Sequence, residues 1–165
     1  MTGVGSNGGR TVRELNTEVT GTIEAPADHV WSYRLDFLNL PEYNADVRGI
    51  ECTDQGGSDQ VGATYRFDLV TGDRSTPVEL RVTETVPGEL VAIDMDGAIR
   101  ARERFTVTPG PGGCHVAISL TMFIPDQFPA SGDAALLAHG EAQIGAELEC
   151  MGQLVGAPVG GGDRG

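Results

Sequence analysis

The sequence predicts an α+β fold: a seven-stranded, curved antiparallel sheet wrapped around a long C-terminal helix, with two short helices between strands 1 and 2. Three observations carry this. Short apolar/polar alternations recur between residues 47 and 124, each ended by a glycine- or proline-rich turn. Connections that short join antiparallel neighbours, because a parallel crossover takes about a dozen residues or more. The stretch from Asp133 to Val155 then changes to helical periodicity and carries an apolar stripe that needs a sheet beneath it.

Each element has its own warrant. Residues 17–24 set Val19, Gly21 and Ile23 against Thr20, Thr22 and Glu24, the alternation of a half-buried strand. Ala25-Pro26 ends it, and Pro26 sits where a helix can begin. Residues 27–38 read as that helix, with Val30, Trp31, Tyr33, Phe37 and Leu38 on one face. Pro41 breaks it, and PEYNAD forms a turn or a second small helix. Six strands follow, at Val47–Thr53, Ala63–Val70, Thr76–Thr85, Leu90–Asp94, Ile99–Thr108 and His115–Ile124. GGSD, TGDRS, Pro87-Gly88, Asp96-Gly97 and PGPGG supply the turns between them. In the final helix Leu137, Ile144, Leu148, Met151 and Val155 share a face with Gly140. Glu141 and Glu147 flank that face, and His139 lies opposite it. Glycines at 140, 145 and 152 each cost about 1 kcal/mol against alanine, so this helix depends on packing.

The 165 residues suit one domain, placed at residues 16–156. Glycine-rich ends at 1–15 and 157–165 are expected to be disordered tails. Gly3-Val4-Gly5-Ser6-Asn7-Gly8 matches GxGxxG, but no strand precedes it and no amphipathic helix follows, so it is not a dinucleotide site. The net charge is −13, and all eleven basic residues are arginine. That excludes lysine chemistry and argues against nucleic-acid partners. No apolar run reaches the ~18 residues of a membrane helix. The N-terminus has neither the basic start nor the apolar stretch of a signal peptide, so a cytoplasmic protein without membrane insertion is expected. Cys52, Cys114 and Cys150 are far apart and read as buried free thiols.

Several segments carry a family resemblance. Ile23-Glu24-Ala25-Pro26-Ala27-Asp28-His29-Val30-Trp31, then Asp36, Asn39-Leu40-Pro41-Glu42-Tyr43 and Val47, resemble the opening of SRPBCC (START-like, polyketide-cyclase-like) domains. Val61-Gly62-Ala63-Thr64-Tyr65, Val82 to Pro87, and Phe105-Thr106-Val107-Thr108-Pro109 resemble later strands of the same family. The resemblance covers residues 17–155. It implies a helix-grip fold with a cavity between sheet and C-terminal helix. It also implies a hydrophobic ligand such as a lipid or polyketide, or, in a minority of members, aromatase/cyclase activity. Arg34 departs from the family, which usually has an apolar residue there. It either snorkels to the surface or presents a guanidinium at the cavity mouth.

Strand alternation nominates the residues of the site. In Ile99–Val107, Arg100, Arg102 and Arg104 share one face, which must be outside because three stacked cations cannot be buried unpaired. Glu103 therefore faces inward with Phe105. The expected ligand contacts are Trp31, Tyr65, Phe67, Leu80, Ile93, Glu103, Phe105, Leu120, Met122, Leu137, Ile144 and Leu148. Glu103 and Tyr65 are the candidates for catalysis, Glu103 as a general acid/base or ligand-orienting group. The other readings are a structural carboxylate paired with Arg34 or Tyr65, or a local slip of the strand register. His29, His115 and His139 show no ligand spacing, so no metal and no cofactor is expected. Three readings stand at this point: a binder of an apolar small molecule, a cyclase or dehydratase using the inner polar residues, and an interaction module using the arginine stripe. The oligomeric state is left open.

Overall fold

A computed structural model describes residues 12–53 and 61–156. Its strands are β1 (Val12–Ile23), β2 (Val47–Cys52), β3 (Thr64–Thr71), β4 (Arg74–Val86), β5 (Leu90–Asp96), β6 (Arg100–Gly110) and β7 (Gly113–Pro125). The helices are α1 (Ala27–Leu35), α2 (Leu40–Tyr43) and α3 (Asp133–Gly156), with a 3₁₀ turn at Phe37–Asn39 before α2 and another at Ala130–Gly132 before α3. All seven strands form one antiparallel sheet in the order β1-β7-β6-β5-β4-β3-β2. The expected α+β architecture is the one observed.

Alternation sets the inner face. Val116, Ile118 and Ile124 of β7, Phe105 and Val107 of β6, Leu80 and Val82 of β4, and Tyr65 and Phe67 of β3 are all buried. Opposite them, Ile144, Leu148 and Met151 form the buried stripe of α3, and His139 is exposed as expected. The helix comes close to the sheet at two glycines. A Cβ on Gly21 would lie 2.9 Å from Leu148 Cδ2, and one on Gly140 would lie 3.1 Å from Leu120 Cδ2. At the other end of β1, Arg13 Nη2 donates to Asp133 Oδ1 at 2.8 Å and to the Phe128 carbonyl at 2.8 Å. This ties the start of β1 to the start of α3 and holds the Asp133 carboxyl below its ordinary range.

Two sequence expectations need correction. The first strand begins at Val12, not near residue 17, and residues 12–15, assigned to the N-terminal tail, pair with Met122–Pro125 of β7. The remaining expected tail residues, 1–11 and 157–165, lie outside the described residues. Helix 27–38 is really two pieces. Asp36 takes an extended conformation, its carboxylate accepts from the Leu38 N–H, and the 3₁₀ turn follows. The break changes the phase of the apolar face. Leu38, expected on the apolar face, is 50% exposed.

Candidate functional site

Below the sheet–helix interface lies one polar cluster in an apolar interior. It starts from Glu103, which alternation turns inward on β6 between Ile93 of β5 and Leu120 of β7. Arg34 stands in the last turn of α1, the favourable end of a helix for a cation, and α1 packs on β6. The two form a salt bridge through Arg34 Nη2 and Glu103 Oε1. Arg34 and Glu103 are the buried charged residues among those described. Snorkelling of Arg34 to the surface, one of the two expected roles, is therefore overturned: Glu103 offers it an interior counter-charge.

Aromatic groups enclose the pair. The Arg34 Cζ lies 5.4 Å from the ring centroid of Phe37 and 5.2 Å from that of Phe105, in reach of cation–π attraction. Phe37 in turn lies 5.5 Å from the Tyr65 ring. Arg34 Nη1 donates to the Tyr43 hydroxyl at 3.2 Å. Arg34 Nε, which is buried, makes no hydrogen bond to any described protein atom. Burial opposes the Arg34 charge, but Tyr43, Glu103 and Glu147 outweigh it and hold the guanidinium more firmly protonated. Burial pushes the Tyr43 phenol up to about 12, partly offset by Arg34.

Glu147 completes the cluster from α3. Its carboxylate accepts from Asn44 Nδ2, in the turn after α2. Burial first, and then the Glu103 carboxylate, push Glu147 up to about 8, against the pull of Arg34 and the Asn44 hydrogen bond. A carboxyl in that range is protonated through much of the neutral region and can both donate and accept a proton. Nearby, Tyr33 Oη donates to Glu42 Oε1 at 2.6 Å, and Cys150 Sγ reaches the Glu42 carbonyl at 3.6 Å. These contacts fix α2 against α1 and α3.

The sequence-nominated residues fall into place unevenly. Trp31, Tyr65, Phe67, Leu80, Ile93, Phe105, Ile144 and Leu148 belong to one buried cluster, with Leu120 packed against it. Met122 is buried near Gly140, and Leu137 is half-buried and does not join the cluster. Tyr43, Asn44 and Glu147 were not nominated. The available signal was Glu147's place on the flank of the apolar stripe of α3. An open hollow lies elsewhere: a groove of about 800 Å³ between Val19–Glu24 of β1 and its end and Gly145–Gly156 of α3. It shares Leu148 with the nominated set but contains none of the polar cluster. Tyr43 and Glu147, both shifted by burial, sit in the cluster and not in the groove.

Other features resolve simply. Arg100 and Arg102 pair with Asp94 at 3.4 and 3.0 Å, and Arg104 pairs with Glu84 at 3.4 Å. Arg100 and Arg102 also lie over the Phe123 ring, at 5.0 and 5.6 Å. The stripe is outside, as expected, and each of its arginines is ion-paired, two of them sharing Asp94. Of the cysteines, Cys114 is buried, Cys150 is half-buried and Cys52 is exposed, so the expectation of three buried thiols fails at Cys52, which closes β2 on an outer position. Among the described residues no His/Cys/Asp/Glu group is arranged to hold a metal, and no helix is long and apolar enough to cross a membrane.

Known structures share this architecture. The aromatase/cyclase Zhui from Streptomyces sp. R1128 superposes with a TM-score of 0.71 at 15% identity, over 89% of this chain and 96% of that one. The di-domain ARO/CYC StfQ from the steffimycin biosynthetic pathway gives a TM-score of 0.74 at 14% identity, over 90% of this chain and 52% of that one. CV1439 from Chromobacterium violaceum gives 0.64 at 20% identity, over 85% and 96%. At such identities these likenesses establish the fold alone. No curated protein sequence matches the chain. The family model for polyketide cyclase / dehydrase and lipid transport matches residues 14–150, and the chain therefore belongs to that family, within the SRPBCC superfamily that its motifs resemble.

Proposed function

We propose that the protein binds a hydrophobic small molecule of the polyketide or lipid class between the inner face of the sheet and α3. The observation that carries this reading is the polar cluster of Arg34, Tyr43, Glu103 and Glu147, set among buried aromatic and aliphatic side chains. Stability alone gives no reason for such a group, since buried ion pairs are often no better than apolar residues of the same volume. A few convergent polar groups in an apolar interior suit a ligand that is mostly hydrocarbon with one or two oxygens. A net charge of −13 without lysine supports a small apolar partner rather than a nucleic acid, and the reading places the protein in the cytoplasm with no cofactor.

Native mass spectrometry of the purified protein, followed by extraction of any bound molecule, tests the reading. An apolar molecule that co-purifies with the wild type is expected. Ile144→Trp, which fills the α3 wall, should weaken its retention more than it lowers the melting temperature. Retention unchanged by that substitution would put the ligand elsewhere on the molecule, with the β1–α3 groove the first alternative.

A second reading rests on the grouping of the polar side chains. Arg34 holds both the Tyr43 phenol and the Glu103 carboxylate, and the Glu147 carboxyl, whose proton affinity burial raises, is bonded by Asn44. A fixed cation, a phenol and carboxyls are groups a cyclase or dehydratase acting on the bound molecule would use. On this reading Glu147→Gln abolishes turnover of a polyketide substrate while leaving its binding intact. The interaction-module reading has no such support, because its three arginines are paired.

A further inference from the structure

We propose that the buried site selects apolar molecules bearing a neutral carbonyl oxygen and rejects carboxylates, with the Arg34 Nε–H as the donor that receives that oxygen. The inference rests on the binding function proposed above and names the chemistry of the ligand's polar end.

The geometry of Arg34 leaves one donor uncommitted. Its Nη1 serves Tyr43, its Nη2 serves Glu103, and Phe37 and Phe105 hold the guanidinium between them. Nε points its hydrogen at no described acceptor, although it is buried. A buried donor without a partner is costly, and an incoming acceptor removes that cost. Three of the four neighbours that fix the guanidinium come from different elements, so it cannot swing to satisfy Nε without giving up Tyr43 or Glu103.

Charge then decides which acceptor fits. Arg34 is the one buried arginine among the described residues, and Glu103 already neutralises it. Glu147 adds a second carboxyl from α3, with Tyr43 and Asn44 facing it from α2 and its following turn. A ligand carboxylate would bring an uncompensated negative charge beside a guanidinium that Glu103 already neutralises, with the half-buried Glu147 carboxyl at the edge of the same cluster. A ligand cation would sit against Arg34. A ketone or similar carbonyl accepts the hydrogen bond and adds no charge.

Displacement of the neutral fluorophore N-phenyl-1-naphthylamine by 2-tridecanone, dodecanoate and tridecane tests this at neutral pH. The ketone is expected to displace at about tenfold lower free concentration than either dodecanoate or tridecane. Arg34→Lys keeps the charge for Glu103 but has no Nε–H in the plane of a guanidinium, and it should bring the ketone to within about twofold of tridecane. If that variant does not fold, the charge-free pair Arg34→Met with Glu103→Leu serves the same purpose. Dodecanoate binding as tightly as the ketone, no advantage of the ketone over tridecane, or an advantage that survives in a folded Arg34 variant would each overturn the inference while leaving apolar binding intact. Failure of the fluorophore and all three probes to bind would overturn the binding function itself, and the inference with it.

Discussion

Arg34 of α1 and Glu103 of β6, 69 positions apart in the chain, form a salt bridge in which both partners are buried. The pair makes the interior of this protein dependent on charge balance. Removing one partner leaves the other buried without its counter-charge.

Non-additivity follows. Glu103→Leu alone strands the Arg34 cation and should cost about 3–5 kcal/mol. Arg34→Met with Glu103→Leu removes both charges and should cost less than the single change. Urea denaturation of the wild type, Glu103→Leu, Arg34→Met and the double variant gives the coupling. A double variant as unstable as the sum of its parts would mean that the pair is not coupled and that packing alone matters here.

How far such a pair could be read in the sequence depends on the range of the signal. Glu103 was legible, because a strand's alternation of period two is local and three arginines on the opposite face fix its phase. Arg34 was legible in part. Its pairing with Glu103 is one of the alternatives the sequence offers, and its place four residues after Val30 and three after Trp31 puts it on their buried face of α1. The choice of that pairing over snorkelling depends on a counter-charge from a distant strand. Glu147 was visible as a flanking residue, but only the turn after α2, with Asn44, half-buries that flank and gives its carboxylate a partner. The start of β1 was hidden for a similar reason: Val12 to Leu15 pair with Pro125 to Met122, more than a hundred residues away, and a glycine-rich stretch lies immediately before them.

Two glycines should respond oppositely to alanine. A Cβ on Gly145, inside α3, meets nothing within 4 Å, so Gly145→Ala should stabilise by about 0.5–1 kcal/mol through helix propensity. A Cβ on Gly113 would lie 2.1 Å from the Ile23 carbonyl oxygen, which is backbone and cannot step aside. Gly113→Ala should cost about 1–3 kcal/mol or more. Thermal melts of both variants decide it, and a destabilised Gly145→Ala would mean that α3 has less room beside β1 than the structure shows.

Composition at the two ends supports a proposal about the domain limits. Residues 1–11 and 157–165 offer few apolar side chains for docking. A chain trimmed to residues 12–156 should melt within about 4 °C of the full chain, the shift that about 1 kcal/mol produces at this size. A larger drop would place a packed element in one of the trimmed segments.

The last prediction concerns Glu147 and the direction in which pH acts. Its folded value is raised from 4.5 to about 8, so the folded protein holds a proton there that the unfolded chain has already released. The contribution to stability is fully present below about pH 4.5 and is lost as pH rises through about 8. The slope contributed by one group is at most about 1.4 kcal/mol per pH unit, and Arg34 moderates it by attracting the ionised form. Glu147→Gln cannot ionise, and it should flatten the stability profile across this range. Asn44→Ala should act oppositely. The Asn44 amide bonds the carboxylate and so favours its charged form, and removing it should raise the Glu147 titration further. Carboxyl NMR titration of the wild type and Asn44→Ala measures both shifts directly. A wild-type Glu147 that titrates near 4.5, or that does not move when Asn44 is lost, would show that α3 leaves this side chain in water.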